Sequence, residues 1–365
     1  MQNHVGKKMN ATDTRIFGTL SDGRAVRLWT LGGPEGPGGL RLEVLAYGAR
    51  IHRLFVPDAL GEPEDVVLGR MDVAGYAGAD YQGAFIGRCA NRLSNAALPL
   101  PGGVVQLDRN VGRHNLNGGE QGFHTRLFDV VAFEEGPEEP SLTLAYVSAD
   151  SESKFPGTLR ATVTYRLKLP GTLEVVYTAL CDEPCVFNPT NHSLFDLSGS
   201  GGDKDIRATE LTIAASRLTV CDDDLLPTGD LAEVDAGTGA FDFREAKAIG
   251  RDLAADEHML AVCGGYDQNY CIDGEGFRFH ARATDDGSGR MMEVWSDMPG
   301  LQLDTCNRGD TTRVGKRGVH YGPHAAFCLE PQFWPDAPNH PDFPQCTLTA
   351  GREWTSRTEY RFGSR

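Results

Sequence analysis

One glutamate stands in an unusual setting. The stretch Cys328-Leu-Glu-Pro-Gln-Phe-Trp-Pro-Asp-Ala-Pro-Asn-His340 places Glu330 in a Pro- and aromatic-rich loop, beside Phe327, Leu329, Phe333 and Trp334. Such neighbours desolvate a carboxylate, which raises its pKa and makes it a better proton acceptor near neutral pH. Glutamate is rarely buried without a partner or a task. A matching acid is offered by Phe187-Asn-Pro-Thr-Asn-His-Ser193, where His192 is the natural donor because imidazole titrates nearest neutrality. Taken alone, a histidine there is more often structural, and bare sequence does not bring the two side chains together.

Three further segments carry polar chemistry. In Ile86-Gly-Arg-Cys-Ala-Asn-Arg92, Arg88 and Arg92 with Asn91 between them could present donors to sugar hydroxyls; the plainer reading is a solvated charge pair. His114-Asn-Leu-Asn-Gly-Gly-Glu-Gln-Gly-Phe-His124 has glycines for a tight turn, but lacks GxGxxG and follows no βα pattern, which argues against a phosphate loop. Gly264-Gly-Tyr-Asp-Gln-Asn-Tyr270 reads as a polar turn with Asp267 as a hydroxyl acceptor. There is no GxSxG, HExxH or P-loop. The nine cysteines form no CxxC and no zinc spacing, so they read as reduced, buried thiols.

The elements that must position these groups read as strands. Alternating runs occur at 24–30, 40–45, 142–147, 159–167, 173–178, 211–213, 277–282, 292–295 and 359–362, separated by Gly- and Pro-rich turns. Short helices are expected only within 72–81 and 244–253. Segments 32–39 and 134–140 read as hairpin loops and 199–202 as a flexible loop. The fold class is all-β, a large antiparallel sandwich. The formal charge of −16 and pI near 5.0 argue against nucleic acid or an anionic membrane as partner. No apolar run reaches the roughly 18 residues of a membrane helix. The N-terminus lacks a signal-peptide core. Residues 1–14 read as a flexible extension, with Met9 an alternative start, and 15–365 as a single domain.

Taken together, the segments resemble the aldose 1-epimerase (galactose mutarotase) family from about Gly18 to Phe362. Gly87-Arg-Cys-Ala-Asn-Arg92, Asn188-Pro-Thr-Asn-His-Ser193, Gly265-Tyr-Asp-Gln-Asn269, Pro299-Gly-Leu-Gln-Leu303, Cys328-Leu-Glu-Pro-Gln332 and Pro335-Asp-Ala-Pro-Asn339 match its motifs in order. The resemblance implies a β-supersandwich that interconverts the α and β anomers of free aldoses, with no metal or organic cofactor. It places Glu330 on the catalytic base and His192 on the acid. Asn91, Arg92, Asp267 and Gln302 fall on sugar-binding positions, and Asn117 stands where the family usually has a further binding histidine. His114 or His124 could compensate for that exchange. Leu194 and Asp304 replace common aromatic residues of the pocket. Glu330 ionised and His192 protonated would be the starting state, favoured by modest upward shifts from about 4.3 and 6.5. The expected partner is a small aldose and the expected setting the cytoplasm, as monomer or homodimer. Two other readings use the same fold: a sugar-binding protein without turnover, and a hexose-6-phosphate 1-epimerase using Arg88, Arg113 or Arg126.

Overall fold

The computed structural model describes residues 14–33, 36–78, 80–136 and 138–365. The expected N-terminal extension lies, except for Thr14, outside the described residues, and so does the choice between Met1 and Met9. Among the described residues the chain is almost entirely antiparallel strand. The largest sheet has nine strands in the order 129–134, 141–148, 159–168, 172–181, 354–364, 290–296, 278–285, 210–213 and 247–248. Its central hairpin shows why the alternating runs were legible. Along Leu159–Lys168, residues Leu159, Ala161, Val163, Tyr165 and Leu167 are buried while the intervening ones face outward. The runs predicted at 142–147, 159–167, 173–178, 292–295 and 359–362 all lie inside observed strands, which extend further at one or both ends.

A second sheet pairs Pro227–Glu233, Ala215–Cys221, Asp267–Ile272, Gly300–Asp304 and Cys328–Gln332 in that order. Two sequence expectations are corrected here. Glu330 sits on a strand, not a loop, and Asp267 opens a strand instead of lying in a polar turn. These strands lacked a clean alternating signal because both faces are covered: every residue of Cys328–Gln332 is buried. Pro331 is tolerated because this is an edge strand of its sheet. A third sheet joins Thr14–Thr19, Ala25–Gly32, Arg41–Leu45, Arg50–Pro57 and Pro63–Asp65. One apolar cluster draws on all three sheets, including Val44, Val163, Val175, Leu301, Leu303 and Leu329.

The expected helices are single 3₁₀ turns, Ala74–Tyr76 and Ile249–Asp252. A short α-helix, His258–Cys263, was not foreseen; it stops where Gly264 takes a left-handed φ of 74° and donates to the Leu260 carbonyl. The 199–202 loop is not loose. Asp196 accepts from Ser198 Oγ at 2.5 Å, Ser200 Oγ at 2.8 Å and the Gly202 amide at 3.1 Å.

Arg50 ties the third sheet to the segments that will form the site. It is fully buried and donates to the carbonyls of Gln82, Asp80 (3.0 Å) and His124 (3.2 Å), with the Asp80 carboxylate 3.6 Å away. Burying a guanidinium is costly unless it is paired and hydrogen-bonded; the two terminal nitrogens of Arg50 meet that need and fix two loops at once, while Nε has no partner. Arg50→Met should lower unfolding stability by about 3 kcal/mol, the scale for breaking a buried charge cluster. Urea denaturation would measure it, and a change within error of zero would refute the role.

Candidate active site

The Asp267–Ile272, Gly300–Asp304 and Cys328–Gln332 strands pair with Asp267 opposite Asp304, Asn269 opposite Gln302, Gln302 opposite Glu330 and Asp304 opposite Cys328. Side chains alternate along a strand, so these residues all project from one face. The other face presents Tyr270, Leu301, Leu303 and Leu329 to the core. The polar face is roofed by two loops. Asn191 pairs with Phe85, and the next residue, His192, hangs over Glu330. The 87–92 and 114–119 segments meet through the Arg92–Leu116 ladder.

The Asn91 amide donates to Asn117 Oδ1 at 2.7 Å, and the Asn117 amide donates to the Asn91 carbonyl at 3.0 Å. Both residues hold left-handed φ values, 62° and 52°, which asparagine tolerates better than most side chains. Asn117 therefore uses its carboxamide oxygen to fix Asn91. Gly118 packs so tightly that a Cβ would lie 2.1 Å from the Gly87 carbonyl oxygen, at a φ of 83°.

All seven residues singled out from sequence, Glu330, His192, Asn91, Arg92, Asn117, Asp267 and Gln302, line one cavity of about 140 Å³. His192 Nε2 lies 3.7 Å from Glu330 Oε1, and its Nδ1 lies 3.2 Å from the Cys328 sulfur. That thiol donates to the Ser193 carbonyl at 3.1 Å. Gln302 Nε2 donates to Asp267 Oδ1 at 2.6 Å. Tyr81, Leu116 and Gln332, which sequence reasoning missed, complete the wall, with Asp304. Tyr81 had no motif signal, but it packs edge-on against His124 at 4.6 Å and tilted against His192 at 5.9 Å.

Other expected contributors point elsewhere. Arg88 is buried and spends its donors on Ser148, Ala149 and Pro156, so of the two arginines only Arg92 reaches the cavity. His114 accepts from the Asn95 amide, and His124 is fully buried behind Tyr81; neither lines the cavity in place of a histidine at 117. Leu194 packs with Leu68, Tyr321 and Cys328 behind the wall.

Burial pushes the Glu330 carboxyl well above the usual carboxylate range, helped by the charges of Asp304 and Asp267. Burial also raises Asp304, with Asp267 directly opposite it, to about 7. His192 departs from expectation. Burial drives its imidazole down, against the smaller upward pull of its own backbone and of Asp267. The favoured arrangement is thus a neutral imidazole beside a reluctant acid, not a preformed ion pair. His192, Cys328 and Glu330 each offer a ligand atom within 4.8 Å of the others. The imidazole turns Nδ1 to the thiol and Nε2 to the carboxylate, so one ion could take only one of those two nitrogens. The arrangement can deliver one proton and remove another across a ligand of monosaccharide size.

Comparison with known proteins finds relatives along most of the chain. The aldose 1-epimerase family profile matches residues 34–361. Galactose mutarotase of Bos taurus is 39% identical over 325 residues, covering 88% of this chain and 91% of its own. Aldose 1-epimerase of Escherichia coli K12 is 34% identical over 347 residues, 93% and 96% of the two chains. The crystal structure of a GalM/aldose epimerase homologue from C. elegans superposes with a TM-score of 0.82 at 28% identity, covering 92% and 98%.

The raised Glu330 pKa has a consequence for stability. Ionising this group costs the folded state. Its contribution is therefore full below the unfolded carboxyl pKa, about 4.3, and is lost as pH rises toward and through the raised folded value. Glu330→Gln removes that loss. Its melting temperature should exceed the wild-type value at pH 8 by about 2 °C or more, with the gap closing toward pH 5. Scanning calorimetry at the two pH values tests this; superimposable melting curves at both would refute it.

Proposed function

The chain belongs to the aldose 1-epimerase family and interconverts the anomers of free aldoses; on that premise we propose that Glu330 is the general base and His192 the general acid. The observation that carries this reading is the 3.7 Å approach of His192 Nε2 to Glu330 Oε1 inside a small polar cavity. Glu330 takes the proton of the C1 hydroxyl while the C1–O5 bond breaks and the imidazolium gives its proton to O5. Rotation about C1–C2 in the open aldehyde precedes closure by the reverse transfers, so no net proton is consumed. Asn91, Arg92, Asn117, Asp267 and Gln302 hold the sugar hydroxyls, and Asp304 adds an acceptor beside Asp267. The pKa shifts favour one half of this cycle and oppose the other, since ring opening draws on the disfavoured imidazolium–carboxylate form. Reclosure uses a neutral imidazole and a protonated Glu330, the state that burial favours.

A phosphorylated sugar is the weaker substrate. Arg88 is committed to backbone carbonyls, the exposed Arg113 pairs with Asp224 at 3.4 Å, and Arg126 pairs with Glu152 at 3.0 Å. The nine free cysteines, seven of them buried, support a reducing cytoplasm as the setting. No helix among the described residues is long and apolar enough to cross a membrane. The apolar cluster running from Trp29 to Phe362 supports reading 15–365 as one catalytic domain.

Polarimetry or NMR exchange with glucose, galactose, xylose and arabinose should show accelerated anomer exchange. Glu330→Ala and His192→Ala should each lose about 10²–10⁴-fold in rate. Sugar binding by calorimetry without any acceleration would instead favour a binding protein. The active pair carries one proton. It is bounded below by the depressed His192 pKa, where a second proton binds, and above by the raised Glu330 pKa, where the last one leaves. The rate should therefore trace a broad bell, with its acid limb below the usual imidazole range and its alkaline limb above the usual carboxyl range. A single limb centred on an ordinary histidine pKa would contradict the assignment.

A further inference from the structure

The floor of the catalytic cavity carries more negative charge than the acid–base pair uses. Glu330, Asp267 and Asp304 all line it, against a single arginine, Arg92. We propose that Asp267 and Asp304 form a cation subsite, and that the chain takes aldoses whose C2 substituent is an ammonium group, the 2-amino-2-deoxy aldoses. The proposal rests on the assignment of Glu330 to the C1 hydroxyl and His192 to the ring oxygen.

Three observations carry it. First, unspent acceptors. Asp267 and Asp304 stand directly opposite each other on neighbouring strands, and neither forms an ion pair among the described residues. Asp267 Oδ1 accepts from Gln302 Nε2 at 2.6 Å and Asp304 Oδ1 from the Cys306 amide at 2.8 Å, which leaves the other oxygen of each carboxylate unbonded. Gln302 adds an acceptor that owes nothing to these charges. It is only 4% exposed, lines the cavity, and its Oε1 has no hydrogen-bond partner. A carboxylate only accepts, so Asp267 fixes which amide atom is the nitrogen and the unpartnered one is oxygen. Three acceptors thus stand side by side with no donor among them. A hydroxyl donates one hydrogen; an ammonium donates three and brings the missing charge. Second, direction. C1 has two ring neighbours, the ring oxygen and C2. With the ring oxygen at His192, above the edge strand that carries Glu330, C2 leads away from the imidazole. The next strand inward carries Gln302 and Asp304, and the one after it Asp267. The C2 substituent is thus carried toward the two aspartates. Third, electrostatics. Burial, and then the charge of Asp267, raises the Asp304 carboxyl to about 7, so near neutrality the opposed pair retains a proton. An ammonium can displace that proton. The same cation offsets the charges of Asp304 and Asp267 that help hold Glu330 high, and so favours the ionised Glu330 that ring opening draws on. Arg92 does not fill this role, its Nη1 facing Asn91 Oδ1 at 3.5 Å, and Arg308 lies in an adjoining space of about 300 Å³ outside the catalytic cavity.

The test compares anomer exchange of glucose, glucosamine and N-acetylglucosamine, each corrected for its spontaneous rate, at about pH 6.5, below the usual α-amino pKa of about 7.7–8.0. Wild type and Asp304→Asn, which keeps the side chain's shape and removes its charge, are measured side by side. In the wild type glucosamine should show a kcat/KM about fivefold or more above that of glucose, and N-acetylglucosamine, neutral at the same carbon, should show no such gain. Asp304→Asn should lower the glucosamine-to-glucose ratio about tenfold, the scale of one charge-assisted hydrogen bond. A general disturbance of the cavity would depress both sugars and leave that ratio unmoved. Calorimetry of the wild type in two buffers of different ionisation enthalpy should show proton release on binding glucosamine and none on binding glucose. Glucosamine exchanged no faster than glucose, N-acetylglucosamine matching glucosamine, a ratio that Asp304→Asn leaves unchanged, or binding without proton release overturns the cation subsite, while glucose exchange leaves the catalytic reading standing. If the wild type exchanges no sugar but binds glucosamine more tightly than glucose with release of a proton, the catalytic reading falls and the subsite stands as a binding site.

Discussion

The register of three strands is the constraint on which the site depends. Asp267–Ile272, Gly300–Asp304 and Cys328–Gln332 pair so that Asp267, Gln302, Asp304 and Glu330 share one face while Tyr270, Leu301, Leu303 and Leu329 share the other. A slip by one residue would send the carboxylates into the core and the leucines into the cavity. The apolar face prevents that slip. The transfer free energy of several buried leucines and a tyrosine far exceeds anything the polar face contributes, so the core dictates where the cavity-lining carboxylates point. Function here is positioned by packing on the reverse side of the same strands.

The polar face carries its own tension. Asp267 and Asp304 are directly opposed like charges, and Glu330 stands close enough to feel both. Such an arrangement is destabilising for a sheet in isolation. Arg92 is the nearby cation on the cavity wall, and Gln302 takes up one carboxylate oxygen of Asp267. Burial and those charges together raise Glu330, while burial lowers His192 against the upward pull of Asp267. Those shifts keep a single proton on the His192–Glu330 pair over a wide pH range. The strain and the chemistry have the same source, which is desolvation.

The loops over the cavity are held by backbone and by buried cations. Arg50 anchors the segments at 80–82 and 124, and the reciprocal Asn91–Asn117 bonds lock the cavity-lining turns together. The asparagine at 117 is thus a brace for Asn91 before it is a ligand contact.

Much was legible in the residues themselves. Strands such as Leu159–Lys168 announced themselves by alternation, because only one face is buried. The motif-bearing residues were identifiable by type, since few side chains can accept or donate a proton near neutrality. What tertiary structure decided was everything that depends on covering a second face or closing distance. The Glu330 strand looked like an apolar loop because both its faces are buried. Arg88 and Arg92 looked equivalent until one was found turned into carbonyls of a neighbouring strand and its turn. Leu194 looked like part of the pocket and lies behind it. An upward shift of His192 would have favoured the starting state, but depth of burial, which no local residue pattern reports, moves the imidazole down. Residue type sets the chemistry a chain has available; the free energy of desolvation, which determines how that chemistry is tuned, exists only once distant segments have packed together.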